Sequence, residues 1–368
     1  MKQNKALIKY LLDHFSIHPA RVKIMLEIIL SFIKVGSVQQ RKVAQGINLK
    51  AKTCSVIRRI QRFFQEEFLC PSIASKLIFS IFNWEEKITL TLDRTNWKFG
   101  FIDINFLVVC AMYKNYSIPI CWIMLPHQGN SGTLDRINLI EAILNVIPLH
   151  RINFLLADRE FIGEEWFTYL YSRGVPFCIR LKENMLIHDT RRGGKVKIKD
   201  FFKHLSGSQT REIEQIIQGV MLRIFVARTA SSELLILAVS GNDNLVEAFE
   251  LYRRRWTIET MFKSFKSAGF NFEDTHQKNL DRLSKMMVLL TIAYAWAIKT
   301  GEIKNDIKPI KIKIHDRLEF SLFSYGFHVL QTILLKGTWL YKKLLELIGK
   351  ITLNMPLSSS EREITVVY

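Results

Sequence analysis

Two aspartates stand where strand-like runs end: Asp93 after Lys87–Leu92 and Asp158 after Ile152–Ala157. If the two strands are sheet neighbours, both carboxylates reach the carboxyl end of the sheet, where open α/β sheets build their sites. Two carboxylates that close repel each other unless a hard cation such as Mg2+ lies between them. A third acid, Glu259, falls in a stretch read as one long helix from Asn244 to about Lys266. At 100° per residue, Tyr252, Arg255, Glu259 and Lys266 share an arc of about 60°, and Leu251, Ile258, Phe262 and Phe265 form a second arc about 80° away. One helix therefore carries a core stripe beside a polar stripe. An aspartate after a strand is also a common turn-former, and a charged stripe is also what a solvated helix face laced with ion pairs carries. Residue type and spacing leave both readings open.

The elements around these residues suggest a mixed sheet. Lys87–Asp93 alternates polar and apolar residues, Phe101–Tyr113 is a long β-branched and aromatic run and Ser117–Leu125 a third, with connectors short enough for antiparallel hairpins. The loop Pro126-His127-Gln128-Gly129-Asn130-Ser131-Gly132 follows, and Thr133 is placed to cap a helix through Leu144. Ile152–Ala157 reads as a buried strand, Gly163–Ser172 as a helix and Pro176–Leu181 as another strand. Three strands, helix, strand, helix, strand imply a sheet with helices on its faces. Residues 183–243, with turns such as Arg191-Arg192-Gly193-Gly194 and strands at Met221–Ala227 and Leu234–Val239, read as a β-rich insertion. Residues 280–350 are mostly helical in pattern.

Charge points to a polyanion. The 368 residues carry 52 Lys and Arg against 34 acids, a net charge of +18, with 48% hydrophobic and 23% charged residues, enough apolar material for two or three domains. Disorder, collagen and coiled coil are excluded. Residues 1–62 hold 13 of the basic residues and only Asp13 and Glu27 as acids. Apolar spacing through Leu7–Phe15 and Val22–Ile33 makes this a basic helical segment. Within it Val38–Gln45 reads as a helix, Gly46-Ile47-Asn48 as a turn, and Thr53 as the cap of a second helix through Phe64. That is helix-turn-helix spacing. It puts Arg58, Arg59 and Arg62 on or near a solvent face suited to phosphates while Val56, Ile57, Ile60 and Phe63 pack inward. A basic solvated bundle face is the alternative.

The longest apolar run, Met286–Ile298, broken only by Thr291, spans 13 residues, short of the roughly 20 that cross a bilayer, and reads as a core helix. Asp13 and His14 interrupt what would have to be a signal-peptide core, so a cytosolic protein is expected. Cys54, Cys70, Cys110, Cys121 and Cys178 contain no C-x-x-C pair and are expected as buried free thiols.

Tyr252, Arg255, Glu259 and Lys266 fit Y-x2-R-x3-E-x6-K in YRRRWTIETMFKSFKSAGF, which resembles the signature of a large branch of bacterial insertion-sequence transposases of the DDE type. TLDRTNWKFG, LLADREFIG and LPHQGNSGTLDR resemble that family's first-aspartate block, second-aspartate block and glycine- and asparagine-containing loop. The similarity covers roughly residues 87–275. It implies a ribonuclease-H-like mixed-sheet α/β catalytic core with a β-rich insertion, preceded by a small basic all-α domain and followed by a helical C-terminal region. The corresponding divisions are residues 1–80, 85–182, 183–243, 244–300 and 301–368. Asp93, Asp158 and Glu259 would be the metal-binding catalytic triad for two Mg2+ ions, with Mn2+ as a substitute, in two-metal phosphoryl transfer. Tyr252, Arg255 and Lys266 would contact phosphates, with Arg253 and Arg254 as further contacts. The partners implied are double-stranded transposon ends and target DNA, acted on by a homodimer in the bacterial cytoplasm on the nucleoid, with no membrane.

Some relatives open their ends through a DNA hairpin and stack a flipped base on an insertion tryptophan, but residues 183–243 contain no Trp. Phe201 or Phe202 either substitutes or packs in the core. Glu160 competes with Asp158 as a ligand or forms a salt bridge at the strand exit. His127 reads as a loop residue, Asp103 as ion-paired or solvent-facing, and Trp97 and Trp256 as packing residues. A nuclease that cuts without joining, or an idle DNA-binding regulator, are the competing functions.

Overall fold

A computed structural model describes residues 5–15, 17–47, 51–189, 193–207, 209–229, 231–241, 245–314, 316–336 and 338–366. Five helices open the chain: α1 (Lys5–Phe15), α2 (Pro19–Val35), α3 (Gln40–Gly46), α4 (Thr53–Phe63) and α5 (Pro71–Ile81). Pro19 and Pro71 sit in the first turns of their helices, where the missing N–H has no intrahelical acceptor anyway. On α4, Val56, Ile60 and Phe63 are buried, Ile57 is half-buried, and Arg58, Arg59 and Arg62 are exposed. Thr53 is the first helical residue rather than the cap; Lys52 holds the cap position without a side-chain bond. Of the turn expected at Gly46-Ile47-Asn48, Asn48 lies outside the described residues.

The sheet follows: β1 (Ile88–Phe99), β2 (Ile102–Tyr113), β3 (Tyr116–Met124), α6 (Thr133–Leu144), β4 (Ile152–Ala157), α7 (Glu164–Arg173) and β5 (Phe177–Arg180). Next come β6 (Leu186–Asp189), β7 (Gly194–Lys197), α8 (Ile198–Phe201), β8 (Thr210–Ile217), β9 (Val220–Arg228) and β10 (Leu234–Val239). Eight strands form one mixed sheet in the order β3-β2-β1-β4-β5-β10-β9-β8. β4 pairs in parallel with β1 and β5, whereas β10 runs antiparallel to β5 and β9. This mixed sheet is consistent with a ribonuclease-H-like core. The stretch 183–243 divides: β8, β9 and β10 extend the main sheet, and β6 and β7 form a separate two-stranded sheet. Arg191 and Arg192 of the expected turn lie outside the described residues. Gly132, not Thr133, holds the cap position of α6; its N–H donates to Asp135 Oδ2 at 2.9 Å.

The expected single helix from Asn244 is in fact α9 (Leu245–Arg253), a 3-10 turn at Arg254–Trp256, and α10 (Thr257–Lys266); Asn244 lies outside the described residues. The chain closes with α11 (Leu280–Ile307), α12 (Leu322–Lys336), α13 (Thr338–Thr352) and α14 (Ser359–Glu363). By length and composition α11 could cross a membrane, but 89% of its most apolar 18-residue window is buried inside the protein, so it is a core helix. A Cβ on Gly326 would collide with the Ala297 carbonyl oxygen, and one on Gly301 with that of Leu322, so glycines set the approach of α12 to α11.

The chain divides into two compact units, one of residues 1–83, 96–104 and 261–368, the other of residues 84–95 and 105–260. Cys110, Cys121 and Cys178 are buried free thiols, but Cys54 is exposed and Cys70 partly exposed, contrary to expectation, because each lies at or near a helix start.

Candidate active site

The strand expected to end at Asp93 continues to Phe99, yet its parallel pairing with β4 stops at Leu92 opposite Ala157. Asp93, inside β1, and Asp158, the residue after β4, therefore occupy the next positions beyond the paired stretch of the two neighbouring strands. Each carboxylate accepts the N–H of the following residue at 2.7 Å, Arg94 for Asp93 and Arg159 for Asp158.

Helix α9 brings the remaining groups to these aspartates. Tyr252, in its last turn, is buried in one apolar cluster with Phe154 and Leu156 of β4, Cys178 of β5, Phe225 of β9, and Leu237 and Val239 of β10. That apolar footing seats α9 on the sheet, and the phenol donates to Asp158 Oδ1 at 3.5 Å. The 3-10 turn then places Arg255, only 8% exposed, between two carboxylates: Nη1 lies 3.2 Å from Asp93 Oδ2 and Nη2 2.6 Å from Glu259 Oε1. The guanidinium also stands 5.8 Å from the Tyr252 ring centre. Asp158, Tyr252, Arg255, Asp93 and Glu259 thus form one chain of contacts. The start of α10 is fixed by a line of hydroxyls, Thr91 to Ser117 at 3.2 Å and Ser117 to Thr257 at 2.6 Å. Arg254 donates to the Lys114 carbonyl at 3.1 Å.

Burial pushes the Asp93 carboxyl up to about 6 from its ordinary 3.8, against the opposing pull of Arg255 and with Glu160 and Glu259 adding to the rise. Burial also raises the Tyr252 phenol. Burial pulls the Arg255 guanidinium down, but Tyr252, Asp93 and Glu259 hold it above its ordinary value.

The other expected site residues are placed as follows. Lys266 donates to the Asn96 carbonyl at 3.0 Å, pairs with Glu273 at 2.8 Å and lies 5.4 Å from the Trp97 ring centre. Arg253 is exposed and pairs with Glu250 at 3.2 Å. Trp97 packs on Phe272, as expected, but Trp256 is 64% exposed, because the 3-10 turn that buries Arg255 sends the next side chain outward. Phe202 is buried in the core, with the half-buried Phe201 packed edge-on against it. His127 lies 3.8 Å from Asp135 and Asp103 3.9 Å from Lys98. Glu160 is salt-bridged, to Arg94 at 3.3 Å rather than to its neighbour Arg159. Arg94 and Asn105 were missed from sequence, although an asparagine inside the apolar run Ile104–Met112 is the kind of buried polar residue that signals a purpose.

Three carboxylates are a hard-oxygen donor set that suits Mg2+ or Mn2+ and not zinc, so the residues fit a divalent ion by chemistry. Among the described residues no three His, Cys, Asp or Glu side chains are grouped as a metal cluster; here Asp93 and Glu259 share the Arg255 guanidinium.

Residues 90–296, which include all of these acids, match the family model of the transposase DDE domain. The chain belongs to the DDE transposase family. Its function is that of a transposase, and membership implies nuclease and strand-transfer activity with DNA as substrate. DDE transposases generally use divalent metal ions. No curated protein matches the sequence.

Proposed function

We propose that this transposase binds the terminal inverted repeats of an insertion sequence as a homodimer on paired ends, cleaves their 3′ ends and joins them to target DNA. The observation that carries the reading is the juxtaposition of Asp93 and Asp158 on adjacent parallel strands, with Glu259 tied to Asp93 through Arg255. Asp93, Asp158 and Glu259 would hold the metal. Two Mg2+ ions supply Lewis-acid polarisation of the phosphate and a nucleophilic oxygen at neutral pH. Arg255, now shared by Asp93 and Glu259, would bind a phosphate of the DNA, since a guanidinium fork fits either anion. Tyr252, held at Asp158, would orient that carboxylate and face the same phosphate, with Lys266 as a point charge. The exposed Arg58, Arg59 and Arg62 on α4, with Arg253 and Arg254, would add backbone contacts that position the duplex without reading its bases.

The test is incubation of the purified protein with Mg2+ and a labelled duplex bearing the inverted repeat of its element, beside Asp93→Ala and Glu259→Ala. Joined strands from the wild type and none from either variant support the reading. Nicks without joining indicate a nuclease, binding without cleavage a regulator, and cleavage undiminished in the variants means other carboxylates do the chemistry. Hairpin products would show whether excision passes through one without an insertion tryptophan.

A further inference from the structure

The β1–β4 ladder stops at Leu92 and Ala157, so this backbone pairing does not extend to Asp93 and Asp158 one residue further on. A side chain spans the gap instead. Arg94, next to Asp93, places Nε 3.3 Å from Glu160 Oε1 and Nη2 3.4 Å from Glu160 Oε2, a fork onto the carboxylate two positions after Asp158. The same guanidinium donates from Nη1 to Asn105 Oδ1 at 3.1 Å and from Nη2 to Asn130 Oδ1 at 3.5 Å.

Asn105, on β2 and 1% exposed, passes the connection to the loop at 126–132: its Nδ2 donates to the carbonyls of His127 at 3.2 Å and Gly129 at 3.0 Å. Arg136 closes the far side, with Nε 2.9 Å from Ser131 Oγ, Nη2 2.8 Å from the Ser131 carbonyl and Nη2 3.3 Å from the Glu160 carbonyl. The middle of β1 at Arg94, the turn after β4 and the loop between β3 and α6 are therefore tied into one polar network. Both Glu160 oxygens are engaged by Arg94, which makes this acid a counter-ion in the network. Planar, two-point Arg–carboxylate pairs fix geometry as well as charge, which a lysine cannot do.

Building on the reading of Asp93 and Asp158 as metal ligands, we propose that Arg94, Glu160 and Asn105 are positioning residues: the Arg94–Glu160 clip sets the separation of the two aspartate carboxylates, and Asn105 seats the loop that carries Asn130 beside them. None of the three needs to touch the metal; they act through the residues that would.

Mn2+ binding to the full-length, DNA-free protein, measured by isothermal titration calorimetry, tests this without reliance on turnover. The proteins compared are wild type, Asp93→Ala, Arg94→Gln, Arg94→Lys, Glu160→Gln and the Arg94→Gln/Glu160→Gln double variant, with a urea midpoint for each. Groups that orient metal ligands are worth about 10- to 100-fold in affinity, so each Gln single is expected to weaken Mn2+ binding by that factor. The double variant is expected to lose no more than the worse single, because both remove one shared clip. Arg94→Lys, which keeps the charge and the fold but not the fork, is expected to recover part of the loss. The proposal is overturned if Glu160→Gln abolishes binding while Arg94→Gln leaves it intact, which would make Glu160 a ligand. It is equally overturned if the losses add in the double variant, or if only the urea midpoints fall while affinity holds. Wild-type affinity in Asp93→Ala would instead bring down the assignment of the carboxylates, a signature distinct from any failure of the clip.

Discussion

Asp93→Asn should stabilise the metal-free protein, and by an amount that depends on pH. The Asp93 side chain is 16% exposed, and burial raises its carboxyl from 3.8 to about 6 even with Arg255 at 3.2 Å. The folded protein thus holds this proton more tightly than the unfolded chain does. Between pH 3.8 and about 6 the folded state binds the extra proton, so stability falls as pH rises through that window and stays lower above it. A separation of about two pH units, at about 1.4 kcal/mol per unit, is a loss of about 3 kcal/mol. Asparagine mimics the neutral acid and has no such loss. Urea unfolding followed by circular dichroism from pH 4 to pH 8, in EDTA so that no cation neutralises the site, should show the variant gaining on the wild type by about 2 kcal/mol between pH 4 and pH 7, the part of that loss which falls above pH 4, and by almost nothing further above. A difference that stays flat with pH would refute the reasoning, and so would a variant that loses ground as pH rises. The latter would mean that Arg255 outweighs desolvation and that the folded carboxyl lies below 3.8.

Arg255→Ala leaves Asp93 and Glu259 without their shared cation and should lower stability above pH 6 while weakening binding to the terminal-repeat duplex, measured by urea unfolding and fluorescence anisotropy. If α4 meets DNA, the triple variant Arg58→Ala/Arg59→Ala/Arg62→Ala should reduce the slope of log affinity against log salt by up to about 3, at about 0.9 per lost phosphate contact; an unchanged slope would assign the arginines to a solvated face. Gly326→Ala should destabilise the protein by at least the 1–3 kcal/mol typical of overpacking, because its methyl meets the Ala297 carbonyl, and this should appear as a lower urea midpoint. Trp256→Ala, by contrast, should leave the midpoint within about 0.5 kcal/mol, since the indole is mostly in water.

What the sequence determined by itself was local and periodic. The apolar runs Ile152–Ala157 and Leu234–Val239 are strands with those same bounds, because a buried strand shows as a continuous apolar stretch between turn residues. The two-stripe pattern put Ile258, Phe262 and Phe265 in the core and kept Arg255 and Glu259 on one face, since the i,i+4 relation survives the 3-10 turn between α9 and α10. Asp158 was recognisable as a strand-end acid, whereas Asp93 was expected at a strand end and lies inside β1, which runs on to Phe99. That their strands are parallel neighbours was not recognisable, because strand order is decided by pairing between segments about 60 residues apart, which no local period encodes. The same limit hid Arg94 facing Glu160, Arg255 between Asp93 and a residue four positions away, and the outward turn of Trp256. The approach of α12 to α11 at Gly301 and Gly326 was equally invisible, as glycine in a helix reads as a weakness until another backbone is seen against it. Periodicity records which side of an element avoids water; which partner a charged side chain meets there is set only when distant segments pack.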